Sequence, residues 1–181
     1  SELQLKLKEQ KILPILNTTT LSNDIDRLSK YLDRNRAIRY IEITLRENQS
    51  FDIALELKKH FTKHKFGLGS VLTKEDFIKG QDHNFNFFVS PGIVDEVLEI
   101  NNLLYIPGAE TVSEFIYLYK KGYKIIKFFP ANLNGEQKKL QSIENILKDI
   151  KFIPTGGVNK DNINKYLDLK NVLCAGTSNF E

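Results

Sequence analysis

Lys127 stands in the run Ile125-Ile126-Lys127-Phe128-Phe129-Pro130, a single ammonium among apolar neighbours. Burial in such a run strips hydration from the charge and favours the neutral amine, a nucleophile suited to condensing with a carbonyl. A second segment, Tyr40-Ile41-Glu42-Ile43-Thr44-Leu45-Arg46, alternates strictly. If extended, it sends Ile41, Ile43 and Leu45 to one face and Glu42, Thr44 and Arg46 to the other. A carboxylate suited to moving protons and a cation suited to holding an anion then share one side. A purely structural ion pair between Lys127 and Glu42 is the competing reading. Against it, an apolar pair fills an interior at lower desolvation cost, so a retained pair of charges favours chemistry.

Two glycine-bearing turns, Pro154-Thr155-Gly156-Gly157 and Ala175-Gly176-Thr177-Ser178, let backbone N–H groups approach an anion, although such turns are also ordinary connections. His60 and His64 are spaced i, i+4 on one expected helix, but Lys59, Lys63 and Lys65 surround them and further ligands are lacking. No metal is expected there. No Ser-His-Asp or Cys-His arrangement competes.

The elements that must position these groups are short β-rich runs: Ile12 to Leu16, Ile38 to Leu45, Phe66 to Leu72, Phe85 to Val89, Leu103 to Ile106, Ile125 to Phe129, Phe152 to Thr155 and Val172 to Ala175. Between them lie segments of helical spacing, such as Phe51, Leu55 and Phe61, then Val112, Phe115, Ile116 and Tyr119, then Leu140, Ile143, Ile146 and Leu147. Strand starts fall roughly 23 residues apart, the spacing of βα units with parallel strands. Eight such units without a break in composition predict one α/β domain over residues 1–181, a (β/α)8 TIM barrel, since closure removes exposed sheet edges. Chemistry then sits at the C-terminal strand ends, and the turns after strands seven and eight are placed to bind phosphate. An open doubly wound sheet is the alternative, but Leu16-Asn17-Thr18-Thr19-Thr20 stands where its glycine-rich turn is expected. With Glu181 soon after the eighth strand, the usual eighth helix is expected to be lacking. A helix through Leu3, Leu7 and Lys11 would cover the barrel bottom, and a partner subunit the seam between strands eight and one.

The 181 residues are 41% hydrophobic and 27% charged, a globular composition. At this length roughly 70% of the unfolded chain's surface can be buried. The net charge of +3, with lysines spread along helical faces, argues against nucleic acid and suits a small anionic substrate. Cys174, alone in an apolar run, reads as an inert buried thiol in a reducing compartment. No apolar run approaches the roughly 20 residues of a membrane span, and the charged N-terminus is not a signal peptide, so a soluble cytoplasmic protein is expected. Asn17-Thr18-Thr19 and Asn48-Gln49-Ser50 match the glycosylation pattern only by chance.

The segments Glu42-Ile43-Thr44-Leu45-Arg46, Gly67-Leu68-Gly69-Ser70-Val71-Leu72, Ser90-Pro91-Gly92, Ile106-Pro107-Gly108, Lys127-Phe128-Phe129-Pro130-Ala131, Pro154-Thr155-Gly156-Gly157 and Val172-Leu173-Cys174-Ala175-Gly176 together resemble, in order, those of the 2-keto-3-deoxy-6-phosphogluconate (KDPG) / 4-hydroxy-2-oxoglutarate (KHG) aldolase family. The resemblance implies a class I aldolase without metal or cofactor, built as a (β/α)8 barrel and usually trimeric. It would cleave a 4-hydroxy-2-oxo acid to pyruvate and an aldehyde such as glyceraldehyde 3-phosphate. It implies Lys127 as the Schiff-base lysine, Glu42 as the acid/base, and Arg46 with Ser70, in place of the family's threonine, on the keto-acid carboxylate. Pro91 and Phe129 become apolar walls, Thr155 a pocket hydroxyl, and Gly156, Gly157 and Ser178 the phosphate grip. The chain departs from the pattern at Glu47, Ala109-Glu110 and Asn132, which bears on substrate preference. A non-catalytic barrel retaining an anion site, and another phosphate-binding barrel enzyme, remain the alternatives.

Overall fold

A computed structural model describes residues 1–180; Glu181 lies outside the described residues. The elements are α1 (Glu2–Gln10), β1 (Ile12–Asn17), α2 (Leu21–Arg34), β2 (Tyr40–Thr44), α3 (Ser50–His60), β3 (Lys65–Gly69), α4 (Lys74–Asp82), β4 (Phe87–Val89), α5 (Asp95–Leu98), β5 (Tyr105–Ile106), β6 (Gly108–Ala109), α6 (Val112–Lys120), β7 (Ile125–Phe128), α7 (Glu136–Ile143), β8 (Lys151–Pro154), α8 (Ile163–Leu167) and β9 (Ala175–Thr177). Three of the strand-to-helix turns end in a threonine. The hydroxyls of Thr20, Thr73 and Thr111 accept from the N–H three residues on, which fixes where α2, α4 and α6 begin.

All strand pairs are parallel, and the pairing can be followed around a curled sheet. Six strands run in the order β5-β4-β3-β2-β1-β9 and three in the order β6-β7-β8. Only Pro107 separates β5 from β6, and bridges from Phe152 to Val172 and Thr155 to Gly176 join β8 to the β9 segment. Because β9 meets both β1 and β8, the sheet is not open at that side.

Strand alternation divides the apolar side chains into two cores. Outward-facing Leu16, Ile41, Ile43, Phe66, Leu68, Phe88, Ile126, Phe128 and Phe152 pack with helix residues such as Leu28, Leu57, Phe77, Phe115 and Leu140. Inward-facing Leu13, Tyr40, Phe87, Val89, Ile106 and Ile153 form a separate cluster with Leu173 and Cys174, and Leu3 and Leu7 of α1 close it from below. Buried Gln10 finishes that floor: its amide donates to the carbonyls of Ile12 and Tyr40 at 2.8 and 2.9 Å, and its oxygen accepts from the N–H groups of Arg39 and Tyr40.

Several boundaries differ from expectation. Lys11 is not part of the N-terminal helix face: it caps α1 in the left-handed conformation, with φ 63°, and its side chain is exposed. The expected fifth strand, Leu103 to Ile106, shortens to Tyr105–Ile106, and Gly108–Ala109 forms a further short strand beyond Pro107, which has no N–H for a ladder. The eighth expected strand, Val172 to Ala175, is displaced to Ala175–Thr177, and of the residues preceding it only Val172 makes a bridge, to Phe152. In α3 the buried face is Ile53, Ala54 and Leu57, while α6 buries Phe115 and Leu118 and leaves Val112, Ile116 and Tyr119 partly exposed. Among the described residues no helix follows β9. The chain instead crosses α2, where Phe180 packs edge-on against Tyr31 at 4.9 Å and its carbonyl accepts from Arg34 at 3.0 Å.

Candidate active site

The two charged residues singled out from the sequence both lie inside the curl. Lys127 on β7 is paired in register with Gly108 of β6 and Ile153 of β8, and only 5% of its surface is exposed. Its neighbours Ile126 and Phe128 point to the outer core, so alternation alone turns Lys127 inward. The ammonium lies 4.8 Å from the centre of the Phe129 ring. Glu42 on β2 is level with Ile15 of β1 and Gly67 of β3 and is 1% exposed.

No ion pair joins Glu42 to Lys127 among the described residues, and the carboxylate Oε2 is buried without a hydrogen-bond partner. Burial pushes the Glu42 carboxyl above its ordinary range; the charges of Lys127 and Arg46 oppose that push and do not cancel it. An unpartnered buried carboxyl is expensive for a merely structural group, whereas a proton carrier needs a free oxygen.

A cavity of about 240 Å³ opens at the C-terminal ends of the strands. Arg46, Lys127, Phe129, Thr155, Gly156, Gly157 and Ser178 line it, so seven of the ten residues expected at a site converge on one space. Glu42 lies beside it in the interior, level with the lining residue Ile15. Ser70 joins indirectly, its hydroxyl accepting from Arg46 Nε at 3.3 Å. Pro91 is outside the lining; its carbonyl packs against Gly108 on β6.

The glycine turn after β8 is specified by close packing. Gly157, at φ 71°, lies so near Asn132 that a Cβ would come within 2.7 Å of that side chain, and Asn132 N–H donates to the Gly156 carbonyl at 3.2 Å. Asn132, a departure from the family pattern, therefore shapes this turn. Glu47 and Glu110 do not line the cavity. Each begins the approach to a helix, with the Glu47 N–H donating to Ser50 and the Glu110 N–H to Glu114.

Gly176 and Thr177, from the second of the two glycine-bearing turns, also line the cavity, as do three residues given no role by the sequence reading, Ile15, Asn17 and Val158. Asn17 could have been found from period 2, since Leu13, Ile15 and Asn17 share the inner face of β1. His60 and His64 do not share a helix, because α3 ends at His60. No group of three or more His, Cys, Asp or Glu among the described residues is placed to hold a metal ion.

A sequence model described as KDPG and KHG aldolase matches residues 3–181. The chain belongs to the KDPG and KHG aldolase family. The KHG/KDPG aldolase of Escherichia coli K12 is 35% identical to it over 144 residues, covering 78% of this chain and 68% of that one. The 2-dehydro-3-deoxy-phosphogluconate aldolase of Pseudomonas aeruginosa is 31% identical over 172 residues, covering 93% and 77%. The crystal structure of KDPG aldolase from Legionella pneumophila, with pyruvate captured at low pH as a covalent carbinolamine intermediate, superposes with a TM-score of 0.88 at 30% identity and covers 97% of this chain and 85% of that chain. Within this aldolase family member, the Lys127 amine and the Arg46 guanidinium line one cavity with the Glu42 carboxyl beside it, held there by two strands, β2 with its C-terminal end and β7.

Proposed function

We propose that this chain is a class I aldolase that cleaves a KDPG-type 4-hydroxy-2-oxo acid to pyruvate and an aldehyde through a Schiff base on Lys127. The observation that carries the reading is the buried Lys127 amine lining a cavity while the neighbouring Glu42 carboxyl keeps an oxygen unpartnered. The Lys127 amine adds to the C2 carbonyl, and loss of water leaves an iminium. The Glu42 carboxylate takes the proton of the C4 hydroxyl as the C3–C4 bond breaks; the aldehyde leaves and the bonding electrons pass into the iminium as an enamine. Glu42 returns the proton to C3, and water hydrolyses the imine to free pyruvate and the amine. Burial suits Glu42 to this cycle, because a carboxylate whose pKa is raised is a stronger base toward the C4 hydroxyl than an exposed one.

Arg46, steadied by Ser70, holds the substrate carboxylate, and Phe129 and Thr155 bound the pyruvyl portion, with Pro91 behind the wall. Gly156, Gly157 and Ser178 receive the phosphate; the positive φ angles of the two glycines, 106° and 71°, suit a turn whose backbone N–H groups converge on an anion. We read the strand circuit as a closed (β/α)8 barrel in one domain, acting in the cytoplasm as a homotrimer. Sedimentation velocity at micromolar concentration tests the association, with a monomer as the contrary result.

Steady-state pyruvate release from the gluconate-derived and galactonate-derived keto-deoxy phosphates and from 4-hydroxy-2-oxoglutarate tests the function. Turnover of a phosphorylated acid above that of the unphosphorylated one is expected. No pyruvate from any of the three overturns the reading.

A further inference from the structure

Asn17 ends β1 and lines the cavity. It is fixed from two sides. The Thr44 hydroxyl donates to its side-chain Oδ1 at 2.8 Å, and Arg27 donates to its backbone carbonyl at 3.1 Å, with Arg27 itself paired to buried Asp24. Its Nδ2 has no acceptor among the described residues. An amide whose oxygen is already engaged offers the cavity donors, and so recognises an acceptor oxygen on a ligand.

Strand register says which oxygen. β1 lies between β2 and β9, that is, between the Arg46 end of the cavity and the Ser178 end. Glu42 is level with Ile15, whereas Thr44 and Asn17 are level with each other two residues nearer the mouth. If Glu42 attends the C4 hydroxyl and Ser178 the terminal phosphate, the end of β1 faces the carbon between them. We propose that Asn17 is a specificity-determining residue whose amide donates to the C5 hydroxyl of the substrate, and that Thr44 is a positioning residue that aims it. The inference rests on the aldolase reading above.

The synthetic direction isolates that hydroxyl, because it is contributed by the aldehyde. Condensation of pyruvate with D-glyceraldehyde 3-phosphate is compared with condensation with 3-oxopropyl phosphate, which lacks only the hydroxyl in question. The ratio of the two kcat/KM values does not depend on how much of a preparation is folded. A preference of about tenfold for the hydroxylated aldehyde is expected in the unaltered enzyme, the size of one neutral hydrogen bond. Asn17→Leu should bring the ratio close to one. Thr44→Val should lower it at least threefold, because the amide is then free to turn. A merely structural role would slow both aldehydes in parallel and leave the ratio where it was, which overturns the proposal while leaving the aldolase reading intact. Absence of any preference in the unaltered enzyme overturns it in the same way. Failure of the unaltered enzyme to condense either aldehyde with pyruvate removes the aldolase reading and this proposal together.

Discussion

The Glu42 carboxylate occupies the space that a side chain at position 69 would need, packing directly against the backbone of Gly69 on the neighbouring strand. The glycine is the reason a full-length glutamate side chain fits inside the sheet at this level. Gly69→Ala forces the carboxylate, the backbone or both to move. Overpacking of this kind typically costs about 1–3 kcal/mol, and a displaced Glu42 loses its place beside the cavity. Denaturant unfolding should show the destabilisation, and aldolase turnover should fall by at least tenfold.

Glu42→Gln separates stability from activity. Burial raises the folded-state pKa of Glu42 above its unfolded value. Its contribution to stability is therefore fully present below the ordinary carboxyl range and is lost as pH rises through the raised value. The amide carries no such charge, so the variant should be more stable than the parent at neutral pH and show a flatter decline across that window. Turnover should drop about 10²- to 10⁴-fold, the usual worth of a positioned proton carrier. Thermal unfolding from acidic to neutral pH, beside rates of pyruvate release, checks both signs.

Leu7 is fully buried beneath the inner core, where α1 closes the N-terminal ends of the strands. Leu7→Ala should cost about 2–5 kcal/mol, the range for removing a large core side chain. Equilibrium denaturation measures this, and a loss of under about 0.5 kcal/mol would mean that α1 is not seated as described.

The alternating pattern of strands carried most of this arrangement in plain view. Glu42 stands between Ile41 and Ile43, and Lys127 between Ile126 and Phe128; with those flanking side chains in the outer core, the local pattern alone turns both charged residues inward. What could not be read was the depth and company of each group. The contact between Glu42 and Gly69 joins different strands, and nothing local marks Gly69 as a space reserved for a carboxylate. Asn17 was hidden for a similar reason, since its inward position is legible but its pairing with Thr44 depends on the register between β1 and β2. The helical spacing of Val112, Phe115, Ile116 and Tyr119 marks the helix, but which of them is buried depends on tertiary packing, which selects Phe115, in contact with Phe152 at 4.8 Å. His60 and His64 have i, i+4 spacing and no strong helix breaker lies between them, yet the helix ends at His60.

Cys174 provides a probe of the inner core. It is fully buried, and burial, reinforced by the negative charge of Glu42, pushes its thiol well above the ordinary range. An aromatic disulfide reagent at pH 8 should leave it unlabelled in the native protein and label one thiol per chain after unfolding. Rapid labelling of the native protein would contradict the closed interior.

The central claim is that Lys127 is the amine that joins the substrate. Incubation with pyruvate and borohydride reduces any imine to a stable adduct, and mass spectrometry of the digested protein locates it. The added mass of one reduced pyruvate is expected on Lys127, and Lys127→Met is expected to take up none. An adduct on a different lysine with Lys127 unmodified, or no adduct at all under conditions that reduce pyruvate imines, would contradict the account.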